Sequence, residues 1–472
     1  MSRTTRLLSS LLAVGAATLA YAGPSAADDG HGRDGLVRAA APEGAIDHVI
    51  VIDLENESFD ETFGPTSPAR YLNDRLLRQG QLLTNYYATS HVSLGNYIAQ
   101  VSGQAPTPAA NNDCIDPAGL PNLTGGFFDV RPGTDAADAT RYPGQVVGDG
   151  CVFPAPTATS HGARTIGDQL DARNGRRDGR PTWRGYAEDM GLDPVRDGGT
   201  RDPLGGTDCA HPPLGGVDVS NRAAPNDQYA TRHNPFVYFH SVIDDPQRCA
   251  HHVVPLGTVA VGTGGAPDTF AGHLARDLRD EDTTPRFSFI TPNLCNDGHD
   301  ATCAGPNVEG GTAGGLVGAD LWLKHWMPLI LGSPAYRSGK TLVVLTFDEA
   351  EPIGAHADST ACCGEQGGPN EANPGFSGIL ALFGVQTKPA PGTTPYPGGG
   401  RIGAVLFNRR RIAPGSVNPT PYNHYSALRS YEDLLGLTSG ADDGLGHLGF
   451  AAATGLAPFG SDVFGPARRD AG

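Results

Sequence analysis

Four short polar clusters in this 472-residue chain hold the residue types that bind cations and move protons. Glu55-Asn56 is the first, and Ser93, inside His91-Val92-Ser93-Leu94-Gly95-Asn96-Tyr97, belongs to the second. The third runs Thr291-Pro292-Asn293-Leu294-Cys295-Asn296-Asp297-Gly298-His299-Asp300, and the fourth is Asp348-Glu349. Two neighbouring carboxylates repel unless a cation lies between them, so Asp348-Glu349 reads as half of a metal site or as a solvated turn. With Glu55 and Asn56 it forms an all-oxygen set suited to Ca²⁺, Mg²⁺ or Mn²⁺, and nearby histidines leave zinc or iron open. Ser93 opens a helical pattern. Free N–H groups there favour a phosphate and a serine that must lose its proton, though a lone serine reads first as an N-cap.

Each cluster follows a run with the character of a strand. The first strand, expected to end at Glu55, carries the run Val49–Ile52, and Thr341–Phe347 is similar: both are apolar and β-branched without alternation, the mark of strands buried on both faces. In open α/β sheets the carboxyl ends of such strands are where ligands sit. Further strands are expected near Leu82–Ala88, Trp183–Ala187, Phe236–Val242 and Phe287–Thr291, and apolar runs at Gly378–Val385 and Ile402–Phe407. Helices are expected over Ala69–Gln79, Ser93–Ser102, Thr165–Arg173, Asp268–Leu278, Gly315–Leu331 and Tyr425–Leu435. This order predicts an α/β fold with a mostly parallel central sheet flanked by helices. Loop-rich insertions are expected near 104–160 and 188–230 of a single domain spanning 45–472.

The first 27 residues read as an export signal: Arg3 and Arg6, an apolar core Leu7–Leu19, and the small-x-small site Ala20-Tyr21-Ala22. Residues 28–44 read as a disordered mature N-terminus. Removing the leader takes Lys+Arg from 34 to 32 against 51 acidic residues, a net charge of −19. Such a surface repels nucleic acid and anionic membranes, and no later segment is apolar enough for a stable membrane anchor. The eight cysteines of an exported chain imply disulfides. Cys295 with Cys303 and Cys114 with Cys151 are candidate pairs, while adjacent Cys362 and Cys363 are expected to bond to different partners.

Five collinear pieces resemble the bacterial phosphoesterase family of non-haemolytic phospholipases C and secreted acid phosphatases. They are Glu-Asn-x-Ser-Phe-Asp-x-x-Phe-Gly (55–64), Ser-x-x-Asn-Tyr (93–97), the 291–300 cluster, Asp348-Glu349 and Tyr-Asn-His-Tyr-Ser (422–426). The resemblance implies an alkaline-phosphatase-like fold and a divalent cation held by Glu55, Asn56, Ser93, Asp348 and Glu349. It implies Ser93 as a metal-bound nucleophile passing through a phosphoserine. Asn96 would hold a phosphoryl oxygen, with His233 a further substrate-binding residue, and His299 and His424 would be catalytic. The stretch after Glu349 lacks the glycine-rich Asp-His pattern of the phospholipases. A secreted phosphomonoesterase is therefore the leading expectation and a phospholipase C the runner-up. A non-catalytic binding protein would have lost some of these residues. A serine α/β-hydrolase is excluded, since no Gly-x-Ser-x-Gly elbow occurs.

Overall fold

A computed structural model describes residues 44–468 except 116–123, 134–140, 159–161, 175–179, 194–196, 222–223, 226, 300, 306–308, 310–312, 366, 383–397 and 439–444. The described residues belong to the compact unit Arg38–Gly472. The expected leader and nearly all of 28–44 lie outside them.

Eight strands form one sheet. In chain order they are β1 (His48–Leu54), β2 (Gln81–Leu83), β3 (Trp183–Ala187) and β4 (Val253–Pro255), then β5 (Phe287–Thr291), β6 (Thr341–Phe347), β7 (Ala404–Phe407) and β8 (Ser416–Asn418). They lie side by side as β4-β3-β5-β1-β6-β7-β2-β8. The first five are mutually parallel, β7 runs antiparallel to β6 and β2, and β8 is parallel to β2. Every residue of β1 and β6 is buried, which explains the apolar stretches Val49–Ile52 and Leu342–Leu345; the buried Asp53 of β1 accepts a hydrogen bond from Gln100 Nε2 at 2.6 Å. The α/β class and mostly parallel sheet are as expected.

Four helices of eight residues or more accompany the sheet among the described residues. These are α1 (Ser93–Ser102), α2 (Ile166–Asn174), α3 (Gly315–Gly332) and α4 (His424–Leu435). Helix α1 is buried along its whole length, packs against α4, and ends at Gly103, whose φ of 67° is the left-handed conformation glycine adopts without strain. Asn423 caps α4 by accepting from the Ser426 N–H.

Four expected elements differ. Leu82–Ala88 divides into β2 and a two-residue strand Tyr86–Tyr87, which pairs with Tyr422–Asn423 apart from the main sheet. Ala69–Gln79 contains only a wide helical turn over Leu72–Leu76, and Phe236–Val242 forms short helical turns, Pro235–Tyr238 and His240–Ile243. Within 268–278, Thr269–Ala271 pairs antiparallel with Thr258–Ala260 before a short helix His273–Asp277 begins. Gly272 between them, at φ 98°, turns the chain where a helix would have continued.

The two irregular stretches are tied together. Gly125–Phe127 of the first pairs with Gly216–Asp218 of the second, and a Cys114–Cys151 disulfide closes the first. Cys209–Cys249 and Cys295–Cys303 are also bonded. Cys362 bonds to Cys363, which corrects the expectation of separate partners: the other six cysteines pair among themselves and leave these two only each other.

Candidate functional site

Three adjacent parallel strands deliver the polar clusters to one sheet edge. Leu54 of β1 stands opposite Phe347 of β6, so Glu55-Asn56 and Asp348-Glu349 emerge side by side. Backbone hydrogen bonds hold the exits together. The Asp348 N–H donates to Leu54 O at 2.7 Å, the Glu55 N–H to Asp297 O at 2.8 Å, and the Glu57 N–H to Glu349 O at 3.0 Å. Asp297, in the loop after β5, thereby joins the group.

Ser93 begins α1 and faces this edge. Its Oγ donates to Glu55 Oε2 at 2.9 Å and lies 3.5 Å from Asn56 Oδ1. His233 Nε2 is 3.1 Å from Glu55 Oε1, its Nδ1 is 4.0 Å from Asp297 Oδ2, and its ring stacks on Tyr97. Glu55, His233 and Asp297 present ligand atoms within 4.8 Å of one another. His233 thus stands among potential metal ligands.

The donor set fits a divalent cation. Glu55, Asp297, Asp348 and Glu349 are all buried, and Asp348 Oδ2 has no hydrogen-bond partner. The Asn56 amide oxygen faces the Asp348 and Glu349 carboxylates as well as the Ser93 hydroxyl. With no cation present, the amide would turn to donate to Asp348 Oδ1 at 3.1 Å and Glu349 Oε1 at 3.2 Å; a cation between them calls for the oxygen-inward pose. Burial, reinforced by the charges of Glu55 and Glu349, pushes the Asp348 carboxyl well above the ordinary range. Burial lifts Glu349 to about 7 against the opposing pull of His91. Glu55 is raised by burial, but the nearby His233 and Arg232 more than reverse this and hold it below its ordinary value. Several buried carboxyls competing for few protons are relieved by a bound cation.

The remaining expected residues divide. His299 is exposed and lines the cavity above Ser93. His424 is fully buried: its Nε2 contacts the Asp348 carbonyl oxygen at 2.7 Å and its Nδ1 the Tyr86 hydroxyl at 3.3 Å. The carbonyl needs a donor, so Nε2 carries the proton and Nδ1 accepts from Tyr86. Burial lowers the pKa of His424 to about 4. It braces the Asp348 backbone and does not line the cavity.

Asn96 is likewise engaged. Its Oδ1 accepts from the Thr89 and Ser90 N–H groups at 2.9 and 3.0 Å, and its Nδ2 donates to Ser90 O at 2.8 Å. The same loop presses on the helix at Gly95, where a Cβ would come within 2.5 Å of Ser90 Oγ. The Asn96 carboxamide thereby ties the loop that carries His91 to α1.

Residue types and spacing did not single out His91, Asp297, Asp113 or Arg232. His91 Nδ1 contacts Glu349 Oε2, and its Nε2 lies 2.9 Å from Asp358 O. Asp113 Oδ1 accepts from the Leu94 N–H at 2.9 Å, and Arg232 Nε is 3.5 Å from Asp113 Oδ2. His91 and Asp297 stand inside the quoted 91–97 and 291–300 clusters without a role of their own, Arg232 directly precedes His233, and Asp113 had no signal beyond its neighbour Cys114.

A probable acid phosphatase of Kluyveromyces lactis is 26% identical over 310 residues, covering 66% of this chain and 49% of that protein. A phosphate-repressible acid phosphatase of Penicillium chrysogenum is 27% identical over 307 residues, covering 65% and 49%. The chain spans about half the length of these curated relatives. Among solved structures, a protein in the alkaline phosphatase superfamily from Vibrio parahaemolyticus aligns over 85% of this chain and 69% of its own, with 12% identity and a TM-score of 0.38. A sulfatase from Pseudoalteromonas covers 90% and 77%, with 13% identity and a TM-score of 0.39. The phosphoesterase family model matches residues 72–438, a span that takes in Ser93, Asp297, Asp348 and His424 and leaves Glu55-Asn56 outside. The chain belongs to the phosphoesterase family.

Proposed function

We propose that this protein is an exported, metal-dependent hydrolase of phosphoric monoesters with Ser93 as its nucleophile. The observation that carries the reading is the Ser93 hydroxyl, seated at a helix N-terminus and hydrogen-bonded to Glu55 among buried oxygens that fit a divalent cation. Glu55, Asn56, Asp297, Asp348 and His233 would hold the ion, with Glu349 beside them. When bound, it would supply positive charge to the phosphoryl oxygens and to the serine oxygen.

The chain's own groups do the rest. Glu55 Oε2 accepts the Ser93 hydrogen bond and so fixes the direction of the attacking oxygen. The α1 N-terminus lowers the cost of negative charge there. Attack would transfer the phosphoryl group to Ser93 Oγ, and water would then release it. His299, the exposed imidazole on the cavity wall, is placed to hand a proton to the departing alcohol. His424 and Asn96 act as positioning residues, one behind Asp348 and one behind the His91–Ser93 loop. His91 bears on Glu349 from the opposite side.

Export is supported by the apolar Leu7–Leu19 segment and by four disulfides, bonds that persist in oxidising compartments. No helix among the described residues is long and apolar enough to cross a membrane. Acid phosphatase relatives favour the monoester reading over a phospholipase C.

The test is hydrolysis of p-nitrophenyl phosphate by wild type and Ser93→Ala, before and after chelation. Ser93→Ala should lose about 10³-fold or more in kcat with an unchanged Tm. Chelation should abolish turnover and metal add-back restore it. Substantial activity in the variant, or indifference to chelator, rejects the assignment.

A further inference from the structure

The cavity above Ser93 encloses about 240 Å³, below the roughly 300–1,000 Å³ of sites that take drug-sized ligands. Its two ends differ in chemistry. Glu55, Asn56 and Ser93 make a buried polar floor, whereas Ile115, Pro352, Ile353, Ile379 and Leu380 make an apolar wall. Ile353 is 47% exposed at the rim, a position where a large aliphatic side chain gains nothing from the fold's own core. Ile379 is buried and Leu380 half-buried.

Charge narrows the choice. Arg232 is the one arginine or lysine among the described lining residues. Its guanidinium already meets Asp113, and its Nη1 donates to Asn221 Oδ1 at 3.0 Å. Asp113 and Glu351 face the same space. One phosphoryl group can be neutralised at the floor, but a second would lie against these carboxylates.

We propose that the cavity selects monophosphate esters of short apolar alcohols, with Ile353, Ile379 and Leu380 holding the alkyl or aryl group. The inference rests on the monoesterase reading above. In the first half-reaction a Ser93 Oγ–P bond forms as the ester O–P bond breaks, and the alcohol leaves with a proton. In the second, water supplies the oxygen that breaks the Oγ–P bond, releasing inorganic phosphate and restoring the serine proton. Polyphosphates fail on charge, sugar phosphates would set hydroxyls against the apolar wall, and most of a diacyl phospholipid would lie outside a cavity of this size.

The test is a series of ethyl, butyl and hexyl phosphates, whose leaving groups have nearly constant acidity. For wild type, kcat/KM should rise about fourfold for each methylene that reaches the wall, the factor that corresponds to about 0.8 kcal/mol. The double substitution Ile353→Ser with Leu380→Ser should flatten the series, chiefly through KM. A flat wild-type series overturns the inference, as does faster turnover of ATP, glucose 6-phosphate or phosphatidylcholine than of hexyl phosphate. The two readings fail differently: no turnover of any ester, p-nitrophenyl phosphate included, sinks the monoesterase reading, whereas equal turnover of ethyl and hexyl phosphate sinks only this one.

Discussion

Two clusters in this molecule share one set of ligand types and differ in what stands behind them. Glu55, His233 and Asp297 form one; Asp202, Asp208 and His273 form the other, each with ligand atoms within 4.8 Å. In the second, Arg276 Nη2 lies 2.8 Å from His273 Nδ1. A guanidinium is always a donor, so Nδ1 must accept and the ring proton sits on Nε2, directed at Asp202. Burial holds the His273 pKa below its ordinary value, in keeping with this neutral tautomer. No lone pair is left on Nε2 for a cation. In the first cluster both His233 nitrogens face carboxylates, and Asn56 and Asp348 extend the oxygen set. Ligand type and spacing name a candidate; the group on the far nitrogen decides whether it can bind.

The largest expected contrast comes from neutralising one carboxylate in each cluster region. Asp348→Asn should lower kcat/KM on p-nitrophenyl phosphate at least about 100-fold and reduce the metal content of the purified protein. Asp208→Asn should leave both within twofold. Equal losses in the two variants would erase the distinction, and metal content is the readout that a merely structural effect would not move.

The parts of this contrast that could be read from residue types are those set by periodicity. The apolar stretches of β1 and β6 located Glu55-Asn56 and Asp348-Glu349, because a strand buried on both faces tolerates a single paired polar residue such as Asp53 but ends at its first polar pair. Helix α1 was readable for a similar reason, since Gly103 stops an apolar helical pattern. Loop register has no such code. Asp297 and His299 lie two residues apart in one motif, yet one is buried against the β1 exit and the other lines the cavity. Asn96 faces back to Thr89 and Ser90 because the loop folds over the first turn of α1, a contact between segments that no local pattern announces. Gly272 misled in the other direction. Phe270, Leu274 and Leu278 are spaced as a helix face, but the positive φ at Gly272 splits the segment into strand and helix.

A smaller effect follows from the pairing of Asp202 with Asp208. Burial, reinforced by a hydrogen bond and the charge of Asp202, raises the Asp208 pKa from 3.8 to about 8. A carboxyl with a raised folded-state pKa is ionised more readily in the unfolded chain. Its cost to stability therefore begins near pH 4 and is complete above about pH 8. Asparagine at 208 carries no such cost and still offers an N–H to Asp202. Asp208→Asn should match wild-type Tm at pH 4 and exceed it by a few degrees at pH 8.5. A gain of the same size at both pH values would show that the pair does not share a proton.

The smallest expected effect probes the tautomer itself. Arg276 has a side chain 45% exposed, so its removal should cost little packing. Without the guanidinium, His273 Nδ1 is free to hold the ring proton against solvent, and the Nε2 lone pair then turns to Asp202, with Asp208 Oδ1 4.0 Å away. Imidazole with two carboxylates suits zinc. In an Asp348→Asn background, which silences the first site, added zinc should leave Tm unmoved while Arg276 is present. With Arg276→Gln the same zinc should raise it by about 1–2 °C, the size expected of weak native-state binding in a chain this long. If zinc raises Tm equally with Arg276 in place, the guanidinium does not set the tautomer and the second cluster is a cation site in its own right. If neither variant responds, the two clusters differ by more than the partner on the far nitrogen, and the wider oxygen set around Asn56 and Asp348 becomes the deciding feature.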